Sequence, residues 1–182
     1  MRLWLLRHAP VIAEAGLCYG ATDLAAHAHD TTAVAARIAS ELPHGIALVT
    51  SPLVRCKGLA DAIAALRPDL VPAIDPRLAE MDFGQWEGRP WKAIPRAEFE
   101  AWTAGFADAR PGDGETVREF MQRVEGAWAA WRSGGVDAVW VTHAGVMRAA
   151  TLLQAGIRCP DGAAQWPSFA IAFGECRMVE AE

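Results

Sequence analysis

The sequence has no excess of positive charge: its formal net charge is -5. Binding nucleic acid needs a broad basic field, so that partner is excluded and any anion site must be a local cluster of arginines. No apolar run approaches the ~20 residues of a membrane span. The opening run, Leu3-Trp4-Leu5-Leu6, falls short of the roughly 7–15 apolar residues of a signal peptide. The expectation is a cytoplasmic protein with no membrane partner. Cysteine is sparse, and Cys18, Cys56, Cys159 and Cys176 stand far apart without a C-x-x-C pair. That argues for reduced thiols and against a disulfide framework or a zinc site. Internal repeats are missing too. What is present is material for a core: 52% hydrophobic and 21% charged residues in a chain of 182. That suits one domain over 1–182 better than two small ones.

Along the chain, Arg2 to Leu6 reads as a buried strand. Val34, Ile38 and Leu42 recur at helical spacing before Pro43. Ile46 to Val49 is a second strand. Ser51 is a good N-cap and Pro52 a good first helical residue for a helix carrying Leu59, Ile63 and Leu66. Leu70 to Ile74 is a third strand. The stretch from Pro76 to Pro90 is loop-like, and Trp91 to Phe106 is helical with a potential break at Pro95. After the turn at Pro111-Gly112-Asp113-Gly114, Thr116 to Glu119 matches a capping box. It opens a helix with Phe120, Val124, Ala127 and Trp131 on one face. Val136 to Val141 is a fourth strand and Ala144 to Ala155 a helix. Phe169 to Phe173 and Cys176 to Val179, around Gly174-Glu175, are expected to form a terminal hairpin. Strands alternating with helices predict an α/β fold, a three-layer α/β/α sandwich with a mostly parallel sheet and an antiparallel edge.

Ligands of open α/β sheets bind at the carboxyl ends of the strands. The first strand ends in Arg7-His8, the second in Thr50-Ser51 with Arg55 just beyond, and the fourth in Thr142-His143 with Arg148 further on. Parallel strands bring these ends to one edge, where two following helices also present free N–H groups. Guanidinium forks match phosphate oxygens. Imidazoles among arginines and helix N-termini describe a phosphate site.

Several segments then resemble, in order, the signatures of the histidine phosphatase (phosphoglycerate mutase-like) superfamily. They are Leu6-Arg7-His8-Ala9, Ser51-Pro52-Leu53-Val54-Arg55-Cys56, the acidic stretch Leu78 to Gly88, Pro111 to Thr116, and Val141-Thr142-His143-Ala144-Gly145. The segments Leu17 to Asp23 and Glu80 to Gly88 are most similar to the α-ribazole-5′-phosphate phosphatase branch. Departures include Ala9 for glycine, Pro10-Val11 for an acidic-threonine pair, and Ala25 to Asp30 in place of a Pro-Leu-Ser/Thr helix entry. Asp113 for glycine should cost little in a turn.

The resemblance implies that His8 is the nucleophile, attacking phosphorus to give a phosphohistidine. A hydrogen bond from its other nitrogen to a backbone carbonyl would fix the tautomer. Arg7, Arg55 and His143 should surround the phosphoryl oxygens, a protonated His143 adding a further positive donor. Thr22 is taken as one more substrate contact. Glu80 is the expected acid and base, chosen over Asp82 and Glu87 on alignment alone. No metal or other cofactor is implied, and the partner is a small phosphorylated metabolite.

Plainer readings stand beside these. His8 alone would pass for a core-edge histidine, Arg55 for a surface arginine, and Ser51 for a cap only. Glu115 and Thr116 read as helix-start chemistry. His27 and His29 with Asp30 suggest a metal, but no third ligand at suitable spacing accompanies them. His44 reads as surface, and Trp128, Trp131 and Trp140 as core. Trp86, Trp91 and Trp102 read first as packing, with stacking on an aromatic substrate such as a benzimidazole riboside as the alternative. The expected function is hydrolysis of a small phosphomonoester, α-ribazole 5′-phosphate being the leading candidate. The alternatives are a broad-specificity sugar-phosphate or nucleotide phosphatase, a mutase, and a non-catalytic phosphate-binding module.

Overall fold

The computed structural model describes residues 1–180. Five strands, β1 (Arg2–Arg7), β2 (Ala47–Thr50), β3 (Pro72–Ile74), β4 (Ala138–Thr142) and β5 (Cys176–Glu180), form one sheet in the order β3-β2-β4-β1-β5. All neighbours are parallel except β1 and β5. Five α-helices accompany them: α1 (Ala28–Glu41), α2 (Val54–Leu66), α3 (Arg96–Ala104), α4 (Val117–Gly134) and α5 (Ala144–Gln154).

The three layers follow from strand periodicity. Successive side chains of a strand face opposite sides of the sheet. Leu3 and Leu5 of β1 and Ala138 and Trp140 of β4 share a core with Phe120, Val124, Trp128 and Trp131 of α4 and with α5. Leu6, Val139 and Val141 point the other way, into a core built with Ile38 of α1 and Leu59 and Ile63 of α2. Trp128, Trp131 and Trp140 are core residues as expected. Leu66, the third residue of the expected α2 stripe, is exposed instead.

The capping box at α4 is present: Thr116 Oγ accepts the Glu119 N–H at 3.1 Å, and the Glu119 carboxylate accepts the Thr116 N–H at 3.0 Å. Gly135 ends the helix in the left-handed conformation, φ +69°, where a side chain would be strained. Asp113 also takes a positive φ, +61°, a region Asp enters more readily than most residues.

Several expectations are corrected. The terminal hairpin does not form, and β5 pairs with β1 instead. Residues 169–173 leave the sheet because their carbonyls serve arginines: Phe169 O accepts from Arg148, Ala170 O from Arg177 and Ile171 O from Arg7. Nor does Ser51 cap α2. Strand pairing continues through the Ser51 N–H, which donates to Val141 O at 3.0 Å. The helix therefore starts later, at Val54, whose N–H donates to Asp23 Oδ1 at 2.7 Å. A carboxylate distant in sequence supplies the cap. The third strand is also shorter than expected, and Trp91 to Phe106 splits at Pro95 into a 3-10 turn and α3. No helix among the described residues is long and apolar enough to cross a membrane.

Candidate active site

The carboxyl ends of β2, β4 and β1 lie side by side. They open on a cleft of about 300 Å³ lined by Arg7, His8, Tyr19, Arg55, Glu80 and His143, among others. Of the six sequence-predicted site residues, five line it; Thr22 does not. Arg148 contributes a third guanidinium, so the cleft carries concentrated positive charge in a chain of net charge -5.

His8 extends β1 by one residue and is buried, its N–H bonded to Thr142 O. Its Nδ1 lies 2.7 Å from the carbonyl oxygen of Ala9. A carbonyl only accepts, so Nδ1 carries the proton and Nε2 the lone pair. The His8 and His143 rings meet edge to face at 5.2 Å between centroids. Burial, with Arg55 and Arg7 adding to it, lowers the His8 pKa to about 3. The ring is neutral at neutral pH, as a nucleophile must be.

His143 is fully buried and held well below its ordinary pKa, first by burial and then by Arg55 and His8. Arg55 Nε donates to its Nδ1 at 3.3 Å, and its Nε2 lies 2.8 Å from Ser51 Oγ. The expected protonated His143 is thus corrected: Nδ1 is already an acceptor, and the charge has no room beside Arg55. Ser51, read as a cap only, is a partner of this imidazole.

These two histidines give the fold an acid-sensitive core. An unfolded histidine takes up its proton near pH ~6.5, whereas folded His8 does so only near 3. Between these values the unfolded chain binds more protons than the native one. Stability is therefore complete above the upper value and is lost as pH falls through the window, by roughly 1.4 kcal/mol per pH unit for each such histidine. Urea midpoints between about pH 7 and about pH 5 should fall steeply, and the fall should flatten in His8→Gln.

Arg55 sits in the first turn of α2 and is almost wholly buried. Nη1 donates to Thr22 O at 2.7 Å and Nη2 to Gly20 O at 2.6 Å. Glu87 holds that loop in turn. Its carboxylate accepts the N–H groups of Ala21, Thr22 and Phe83 at 2.6–3.0 Å, and the Thr22 hydroxyl as well. Burial works to raise the Glu87 carboxyl, but the bonds from Thr22, Phe83 and Ala21 outweigh it and keep it below its usual range. The Thr22 hydroxyl is therefore committed to Glu87, and its carbonyl acts through Arg55. We predict that Glu87→Gln, which puts a donor where acceptors are needed, weakens inhibition by inorganic phosphate about tenfold, or ~1.4 kcal/mol. Unchanged phosphate affinity would mean that Glu87 does no more than close a loop.

Arg7 packs its guanidinium over the Phe173 ring, 3.8 Å from the centroid, and donates from Nη1 to Ile171 O at 2.5 Å. Its Nε–H is buried and meets no acceptor among the described residues. Glu80 is set at the N-terminus of α5, where Oε2 accepts the Gly145 N–H at 3.0 Å and Oε1 the Met81 N–H at 3.1 Å. Arg123 of α4 fixes the backbone beneath it by donating to the carbonyls of Arg77, Ala79 and Glu80, while pairing with Glu115 at 2.7 Å. Glu115 is thus a buttress of the acidic loop, apart from the helix-start chemistry expected of it. Of the three tryptophans near that loop, only Trp91 lines the anion cleft; Trp86 is buried and donates to Glu98. Asp23, Arg123 and Phe173 were not anticipated, and Glu87 was weighed only as a rival acid to Glu80; the charges are visible in loop or helix segments, but their partners are not.

The chain belongs to the histidine phosphatase superfamily (branch 1), whose family model matches residues 3–166. It is similar to the adenosylcobalamin/alpha-ribazole phosphatase of Escherichia coli, at 32% identity over 137 residues, covering 69% of this chain and 64% of that protein. The protein of the same name from Salmonella typhimurium is 30% identical over 130 residues with the same coverage. The match thus spans under two thirds of either relative's length. Among solved structures, an alpha-ribazole phosphatase from Shigella flexneri superimposes with a TM-score of 0.83 at 26% identity, covering 100% of this chain and 91% of that one. A phosphoglycerate mutase from Thermus thermophilus gives 0.74 at 30% identity, with 99% and 93% coverage.

Proposed function

We propose that the chain is a metal-independent phosphomonoester phosphatase, acting through a phosphohistidine at His8, and that α-ribazole 5′-phosphate is its substrate. The observation that carries the reading is the convergence at one sheet edge of a neutral imidazole with its lone pair on Nε2 and guanidinium groups held by backbone carbonyls. One of those groups, Arg7, keeps a buried N–H without an acceptor among the described residues. Such an N–H costs about 1–3 kcal/mol unless an acceptor meets it, and a phosphoryl oxygen meets that need.

In the first half-reaction Nε2 of His8 forms a bond to phosphorus as the ester P–O bond breaks, and Glu80 gives its proton to the departing alkoxide. Glu80 then removes a proton from water, whose oxygen attacks phosphorus and breaks the P–N bond, freeing inorganic phosphate and restoring both side chains. Arg7, Arg55 and His143 hold the phosphoryl oxygens through both transfers. His143 donates by turning its Nε2–H from Ser51 toward the bound oxygen. The names of the relatives and the Shigella flexneri fold support the substrate. Four free cysteines support a reducing, cytoplasmic setting.

The assay is release of inorganic phosphate from α-ribazole 5′-phosphate in a chelator, beside ribose 5-phosphate, a nucleoside monophosphate and a phosphoglycerate. A kcat/KM for α-ribazole 5′-phosphate at least about tenfold above the others is expected. Equal rates would replace this substrate with a broad range. Transfer of phosphate between hydroxyls without release would make the chain a mutase.

A further inference from the structure

A second pocket, of about 140 Å³, opens beside the anion cleft and shares Glu80, Phe83 and Arg148 with it. Where the cleft is lined by guanidinium and imidazole, this pocket is aromatic. Trp102, Phe106 and Trp166 stand in a row along it, with ring centroids 5.5 Å and 5.9 Å apart. Glu80 marks the boundary between the two. An acid that protonates a leaving oxygen must lie within hydrogen-bond reach of it, so the alcohol departs on the Glu80 side, where the apolar space begins.

One of the lining residues, Trp102, carries an unsatisfied donor. The Trp102 Nε1–H is buried and has no acceptor among the described residues, whereas Trp86 Nε1 reaches Glu98 at 2.9 Å and Trp131 Nε1 reaches Val136 O at 3.0 Å. A buried indole N–H ordinarily finds a partner. Resting on the phosphatase reading above, we propose that this pocket seats the far end of the leaving alcohol and selects a flat aromatic ring system bearing a hydrogen-bond acceptor, with Trp102, Phe106 and Trp166 as the specificity-determining residues. A bare sugar would set most of its hydroxyls against ring faces that cannot bond them, so the same pocket disfavours simple sugar phosphates.

Three esters test this on the whole protein: quinolinylmethyl phosphate, naphthylmethyl phosphate and ribose 5-phosphate. Both aryl esters should exceed ribose 5-phosphate in kcat/KM by about tenfold or more, with the quinoline ester ahead of the naphthalene. Val117→Phe, which fills the pocket from the start of α4, should raise KM for the aryl esters about tenfold and leave ribose 5-phosphate within about twofold. Equal turnover of all three by the unaltered protein, or equal slowing of all three by Val117→Phe, overturns the proposal. Should Val117→Phe fail to fold, Trp102→Phe keeps a ring but removes the N–H; a preference for quinoline over naphthalene that survives it is equally fatal. If none of the esters releases phosphate, the phosphatase reading fails. The pocket is then judged by calorimetric binding of the same esters, where equal affinities overturn it.

Discussion

His8→Ala should abolish phosphate release, with kcat/KM falling on the order of ten-thousandfold or more. No other group in the cleft can replace it. His143 presents Nδ1 to Arg55 and Nε2 to Ser51, so neither of its nitrogens offers a free lone pair to phosphorus. The fold should survive, because the imidazole contributes one hydrogen bond, to the adjacent carbonyl of Ala9, and no ion pair. The unaltered protein, quenched during turnover, should carry phosphate in a linkage stable to alkali and released by acid, as a phosphoramidate is. The variant should carry none. Labelled phosphate persisting in the variant would move the nucleophile elsewhere.

Gly145→Ala should be the second most damaging small change, although it adds one methyl group to a helix. A Cβ at that position would lie 2.1 Å from Glu80 Oε1, far inside van der Waals contact. The carboxylate is the flexible end of a side chain, so it is the part that moves, and the proton donor leaves its place. A loss of about 10²- to 10⁴-fold in kcat is expected for alkyl esters, the usual worth of general acid–base catalysis. With 4-nitrophenyl phosphate, whose phenolate departs without a proton, the first step should be nearly unaffected. Stability should hold or rise by up to about 1 kcal/mol, because alanine is the better helix former. An unfolding midpoint unchanged while kcat/KM, which reports the first step, falls alike for both esters would remove Glu80 from the acid role.

The layered fold was legible because it rests on local signals. Leu3, Leu5 and Leu6 in β1, the capping box at Thr116 and the helical stripe from Phe120 to Trp131 each follow from spacing within a few residues. The convergence of Arg7, His8, Arg55 and His143 was legible too, since parallel strands bring their carboxyl ends to one edge. Partners chosen across long separations were not. Ser51 fits the rule for a local cap, yet Asp23 takes that duty from 31 residues away and frees Ser51 for His143. Phe169 to Phe173 has the apolar character of a strand, but carbonyls of that segment bond partly exposed arginines in place of a neighbouring strand. The hydroxyl of Thr22 is bound by a carboxylate 65 residues on, and no pattern near Thr22 announces it.

The carbonyls that hold Arg7 and Arg148 come from residues 169–171, beyond the last parallel strand, β4. During synthesis His8 is made together with β1, while the carbonyl that aims the neighbouring Arg7 follows 164 residues after that arginine. A nascent chain can therefore lay down β1, β2, β3 and β4 before the carbonyls that position its arginines exist.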